Sequence, residues 1–379
     1  MTTVLIAPDK FKGSLSAAEV ADTLAGGLTR AGMDVLTLPL ADGGDGSVAA
    51  ALAAGFTAHL VTVAGATGNP HNATIATDGD TAVVEVANTC GLATLAGGRL
   101  APMTASSYGF GQAIRHAIDL GARRIVLALG GSASSDAGIG MLAALGWRFR
   151  GRAGGEIAAI ADNLTAIHTV DAHAAAVDLS AIEFIVAGDV TNPLLGADGA
   201  AAVYGPQKGA DIADIDRLAN GHDNLVGALQ RSGRSDARRL AAAPGAGAAG
   251  GCGYAAALLG ARIVSGADFF LDLLDFETQC AQADFVITGE GRLDTQTLSG
   301  KLPAAVAERA AAKPVIAVVG IDLLGSHTSP FAAVFAASDH SAVDTARDPI
   351  ATRAALQAIA ARIAGSPPSR RKSSHFAGK

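Results

Sequence analysis

Apolar positions along this chain fall in short runs separated by glycine-rich polar turns. Residues 3–7 (TVLIA) form a run that stops at Pro8, the pattern of a strand buried on both faces. Ser16 and Glu19 fit an S-x-x-E capping box and predict a helix running to about Ala31 and closed by Gly32. DVLTLPL (34–40) predicts a second strand, ADGGDGS (41–47) a polar turn, and VAAALAA a second helix ending at Gly55. Strand–helix–strand–helix order implies a parallel sheet faced by helices. The pattern returns near the other end. Strands are expected at 283–289, 314–320 and 332–338, a helix at 303–312 opened by proline, and a last amphipathic helix at 351–365.

The middle reads differently. Segments 73–80 and 82–92 predict a hairpin of alternating strands, 106–120 a helix, and 123–147 a strand, a glycine-rich turn and a helix. A strand with a polar exit follows at 183–196, then a charged helical stretch at 211–243. The fold class expected is α/β with two α/β domains. A Rossmann-like parallel-sheet domain is built from both termini (1–62 and 282–366), and a second, mixed-sheet domain is inserted at 63–281. The cleft between two such domains is the default place for an active site. Residues 367–379, with the basic run SRRKSSH, are expected to be a disordered tail.

Composition narrows the function classes. With 379 residues the chain exceeds what one core serves, and with 50% apolar and 17% charged residues it can bury two. A net charge of −7 gives no electrostatic footprint for nucleic acid or for an anionic membrane. Cys90, Cys252 and Cys280 are far apart and odd in number, forming neither a disulfide framework nor a metal-ligand pair. The nine histidines show no HExxH spacing. The longest weakly polar stretch, 244–261, is too rich in Ala and Gly to span a bilayer. The expectation is a cytoplasmic monomer or homodimer acting on small molecules.

Four polar, glycine-marked loops follow expected strands, where ligands bind in open α/β sheets: Asp9–Gly13, Asp42–Gly46, Gly130–Asp136 and Gly289–Asp294. A fifth polar loop, Asp189–Pro193, also follows a strand. Lysines and an arginine at strand ends can hold a carboxylate or phosphate, and nearby aspartates can hold Mg²⁺ or accept a hydroxyl proton. GGSASSDAG offers backbone N–H groups and hydroxyls at a helix start, a natural anion site. Together these are the parts of phosphoryl transfer. Each loop taken alone also reads as ordinary turn and cap chemistry. No Walker A motif is present. GAGAAG (245–250) matches G-x-G-x-x-G but follows DARRLAAAP rather than a strand, so it fails as a dinucleotide fingerprint; its glycines instead suit close helix packing or a substrate-facing loop.

IAPDKFKGSLSA, PLADGGDGS, GGSASSDAGIGMLAALG, DVTNPLLGADGAAAVYGPQKGA, PGAGAAGGCGY and DFVITGEGRLDTQTLSGKLPAAVA, in that order, resemble the bacterial glycerate kinase family over about residues 3–340. The resemblance implies phosphorylation of D-glycerate by ATP with Mg²⁺, favouring 2-phosphoglycerate as product. The alternatives are a 3-kinase, a kinase of another small hydroxy acid, a nicotinamide-dependent oxidoreductase or a non-catalytic binding protein. On this expectation Lys12 and Arg292, with Lys10, grip the glycerate carboxylate, and Asn192 also faces substrate. Asp189 is the first choice of base and Asp42 the second. Gly130, Gly131, Ser132 and Ser134 cradle phosphate, and Glu290 joins the nucleotide side. Asp294 or Asp45 holds Mg²⁺, and Lys301 neutralises the transferred group. The chain departs from the family at Lys10 (commonly Ser), Ser135 (often Asn), Ala137 (often Gly), Gly188 and Thr191.

Overall fold

The computed structural model describes residues 1–172, 179–295, 297–299, 301–310, 313–324 and 329–368. From residue 369 onward the expected tail lies outside the described residues, as do residues 311 and 312 of the helix expected at 303–312.

Among the described residues, two strands open the chain, β1 (Thr3–Pro8) and β2 (Asp34–Thr37). Eight follow: β3 (Thr57–Ala64), β4 (Pro70–Asp78), β5 (Thr81–Glu85), β6 (Arg124–Ala128), β7 (Arg148–Arg150), β8 (Thr169–Asp171), β9 (Glu183–Ala187) and β10 (Arg262–Val264). The last five are β11 (Phe285–Gly289), β12 (Arg292–Leu293), β13 (Val315–Val319), β14 (Ile321–Asp322) and β15 (Ala333–Ala336). The chain forms two compact units, one of residues 1–42 with 267 onward, the other of residues 43–266.

Unit one is built from both termini around a five-stranded parallel sheet in the order β15-β13-β11-β1-β2. Its helix Ala17–Arg30 starts at the expected box: the Ser16 hydroxyl accepts from the Glu19 N–H, and Glu19 accepts from the Ser16 N–H. Val20, Ala21, Leu24 and Leu28 lie on one helical stripe and are buried. With Leu356, Ile359 and Ile363 of the helix Pro349–Gly365 they close over Val4, Ile6, Ile287, Ile316 and Val318. A side chain at Gly27 would stand 2.5 Å from the Ala360 Cβ, so glycine there permits the helices to touch. Pro8 pairs with Gly289 at the carboxyl end of β1 and β11, so the loops after both strands emerge side by side.

Unit two holds a six-stranded mixed sheet, β10-β9-β6-β5-β4-β3. β10, β9, β6 and β5 run parallel, while β4 and β3 are antiparallel to their neighbours. Three elements differ from expectation. The helix Ser47–Ala53, anticipated beside the first sheet, belongs here: the Val48 N–H donates to the buried Glu85 carboxylate at 3.0 Å. β3 pairs along its whole length with β4. These contacts put the division at 42/43 and 266/267 rather than at 62/63 and 281/282. The strand expected over 82–92 ends at Glu85 and turns into the short helix Val86–Cys90, after which Gly91 forms a bridge with Ser132. Among the described residues, no helix is long and apolar enough to cross a membrane.

Candidate functional site

In unit one, the adjacent ends of β1, β2 and β11 gather a patch of alternating charge. Asp9 leads out of β1, with its N–H bonded to the Gly289 carbonyl at 2.8 Å. The Leu40 N–H bonds back to the Pro8 carbonyl and brings Asp42 alongside. Lys10 Nζ lies between the two carboxylates, 3.4 Å from Asp9 Oδ1 and 3.6 Å from Asp42 Oδ1. Burial, then the Asp42 charge, pushes the Asp9 carboxyl up to about 7, against the opposing pull of Lys10.

The loop after β11 lies against the first. A side chain at Gly291 would come 3.1 Å from the Lys12 nitrogen, so a residue with no Cβ lets Lys12 and Arg292 sit on neighbouring loops. Both are exposed. Arg292 Nε is 3.2 Å from Asp294 Oδ2, and Lys301 Nζ is 3.9 Å from Asp294 Oδ1. The Thr297 hydroxyl donates to Glu290 Oε1 at 2.6 Å, and burial first of all raises the Glu290 carboxyl above the usual range. Lys10, Lys12, Asp42, Glu290, Arg292, Asp294 and Lys301 thus share one unit. The arrangement suits a small anion bearing hydroxyl groups: cations to hold it, and carboxylates to orient and deprotonate it.

In unit two, a second set of loops gathers at the ends of β6 and β9. The Leu129 N–H bonds to the Gly43 carbonyl, and a side chain at Gly43 (φ +82°) would meet the Ala187 carbonyl oxygen at 2.1 Å. A side chain at Gly130 would meet Gly44, and one at Gly131 would approach the Asp45 Cβ, so Asp45 stands at the Gly130–Ser134 turn. That turn is tightly held. The Lys208 ammonium donates to Ser132 Oγ at 2.9 Å and to the Ser134 carbonyl. His222 Nε2 lies 3.0 Å from the Ser135 carbonyl oxygen. Asp136, wholly buried, accepts from the N–H groups of Ser107, Gly138 and Gly140 and from the Ser107 hydroxyl. Ala137 stands at φ +53°, the left-handed region that glycine enters freely.

The remaining site candidates in unit two are placed less alike. Asp189 is exposed and accepts from the Gly266 N–H at 3.0 Å. Asn192 has both ends of its amide engaged, accepting from the Tyr204 hydroxyl at 2.6 Å and donating to the Asp198 carbonyl at 2.9 Å. Gly250 and the following Gly251, at φ +65° and +103°, bring the chain against Ser134 and Ala137, and Gly247 lies against the Pro193 carbonyl, so the glycines of GAGAAG serve packing. The sequence marked the Asp9 loop without giving Asp9 a role, and it missed Lys208 and His222 as members of these clusters; the only signal for Lys208 was a lone lysine inside GPQKGA. Among the described residues, no three His, Cys, Asp or Glu side chains are grouped to hold a metal.

Comparison with known proteins gives the same direction. The glycerate kinase family model matches residues 4–365. Glycerate 2-kinase from Escherichia coli K12 is 39% identical over 326 residues, covering 84% of this chain and 84% of its own length. Glycerate kinase from Bacillus subtilis 168 shows the same identity and coverage. A solved chain from Salmonella typhimurium LT2, described as a candidate glycerate kinase 2, superposes with a TM-score of 0.80 at 37% identity, covering 96% of this chain and 98% of its own. The chain belongs to the glycerate kinase family.

Proposed function

We propose that this protein transfers the γ-phosphoryl group of ATP to the 2-hydroxyl of D-glycerate, giving 2-phosphoglycerate and ADP. The observation that carries the reading is the patch of alternating cations and carboxylates at the ends of β1, β2 and β11, in a chain 39% identical to a glycerate 2-kinase. Glycerate presents one carboxylate and two hydroxyls. Lys12 and Arg292, with Lys10, would hold the carboxylate. Asp42 and Asp189 are the candidate bases, and the place of Asp42 beside Lys10 supports Asp42. The base takes the hydroxyl proton, the oxygen bonds to the γ-phosphorus, and the bond to the bridging oxygen of ADP breaks. The Gly130–Ser134 turn would cradle phosphate, and Lys301 would balance charge on the transferred group.

Mg²⁺ in such reactions is held by one or two carboxylates together with phosphate oxygens and water, so a dedicated protein cage is not needed. Asp45, at the Gly130–Ser134 turn, fits that part; the oxygens of Asp294 already face Arg292 and Lys301. The ion would neutralise phosphate charge. The three buried cysteines, none in a disulfide, support a reducing compartment such as the cytoplasm.

Phosphorus NMR of the product from D-glycerate and ATP tests the reading. A 2-phosphate ester couples to one proton and gives a doublet; a 3-ester couples to two and gives a triplet. A triplet would make the enzyme a 3-kinase, and absence of any ester resonance would reject glycerate kinase activity.

A further inference from the structure

We propose that Lys208 is a positioning residue for the nucleotide, a buried cation that fixes the Ser132–Ser135 turn in the shape that receives phosphate. The inference rests on reading Gly130–Ser134 as the phosphate turn. Lys208 is 2% exposed. Among the described residues, no carboxylate pairs with it; its partners are the Ser132 hydroxyl and the Ser134 carbonyl. Burying an ammonium with no carboxylate in hydrogen-bond contact is costly, several kcal/mol in effective terms, and burial pushes its pKa down to about 8 against the opposing pull of Asp136.

The surrounding residues are shaped for this contact. A side chain at Gly250 would stand 2.9 Å from Lys208 Nζ and 2.2 Å from the Ser134 carbonyl oxygen. Glycine at the end of GAGAAG therefore leaves room for the lysine to reach the turn. His222 meets the next carbonyl, that of Ser135. The Ser134 hydroxyl is buried and has no hydrogen-bond partner among the described residues. The turn is thus tied through its carbonyls and one hydroxyl, with a positive charge stationed beside it. An anion brought to the turn gains from that charge in a low-dielectric setting.

The test is calorimetric titration of ATP, without glycerate, into the wild type and Lys208→Met, followed by steady-state kinetics. The expected result is ATP binding weakened at least tenfold and a matching rise in the KM for ATP, with the KM for glycerate within twofold of wild type. Unchanged ATP affinity in Lys208→Met, or an equal loss toward both substrates, overturns the proposal. A wild type that binds no ATP removes the kinase reading as well, so the two failures are distinguishable. Should Lys208→Met not fold, the wild type is titrated with ATP between pH 7 and 9.5. Asp136, Cys252 and His222 face Lys208. Burial holds His222 neutral and Cys252 as thiol over this range. ATP affinity should fall as Lys208 loses its proton, and a flat profile overturns the proposal.

Discussion

Asp136→Ala puts the second cluster to a quantitative test. The carboxylate is fully buried and accepts from three backbone N–H groups, those of Ser107 at 2.8 Å, Gly138 at 3.1 Å and Gly140 at 3.2 Å, and from the Ser107 hydroxyl at 2.9 Å. Alanine leaves the three N–H groups without an acceptor, each at about 1–3 kcal/mol. Relief from burying a charge returns several kcal/mol. The expected net loss is about 3–5 kcal/mol, and Asp136→Asn, which keeps one acceptor oxygen, should lose roughly half as much. Urea unfolding followed by tryptophan fluorescence measures it cleanly. Trp147 is the only tryptophan in the sequence, and it is 5% exposed in the core of unit two, so its emission reports that unit alone. A loss below about 1 kcal/mol would refute the view of Asp136 as the acceptor that holds the turn.

Other outcomes follow from the same geometry. Gly43→Ala places a methyl 2.1 Å from the Ala187 carbonyl at φ +82°, and should destabilise unit two by about 2–3 kcal/mol in the same fluorescence assay; a wild-type midpoint would show the loop is free to move. Asp9 holds its proton up to about pH 7 when folded but only to about 3.9 when unfolded, so the folded state gains from it below pH 4 and loses that gain as pH rises to 7. Scanning calorimetry should therefore find the Tm of Asp9→Asn improving relative to wild type between pH 4.5 and 7.5, and a difference independent of pH would contradict the shift. Lys12→Ala should raise the KM for glycerate with kcat nearly kept, whereas Asp42→Asn should lower kcat roughly 10²-fold. Full turnover in Asp42→Asn together with a collapse in Asp189→Asn would move the base to Asp189.

Local pattern made much of this protein legible. The Ser16–Glu19 box opens its helix as expected, since it involves only backbone and side chains within one turn. The buried runs at 3–7, 183–187 and 315–319 became strands, as continuous β-branched and apolar stretches between turn residues do. GAGAAG failed the fingerprint test for lack of a preceding strand, and its glycines serve close approach to Val190, Pro193 and Ser134. Less was visible where partners are distant. β3 is half exposed, with Val63 buried, and its pairing along its whole length with β4, which places it in the mixed sheet, could not be read from its own residues. Lys208 meets Ser132 from 76 residues away, and no spacing rule relates them.

The sequence by itself determined the kinds of element, their order and the glycine-marked polar loops that follow the strands, because propensity, capping and hydrophobic period act over a few residues. It also determined the family. Tertiary structure alone decided that the helix Ser47–Ala53 packs in the mixed-sheet unit, that a carboxylate at the end of β1 is buried enough to keep its proton near neutrality, and that a buried lysine braces the turn at 132–135. Those outcomes depend on desolvation and on pairing across long chain separations, and both come into existence only when the chain has folded.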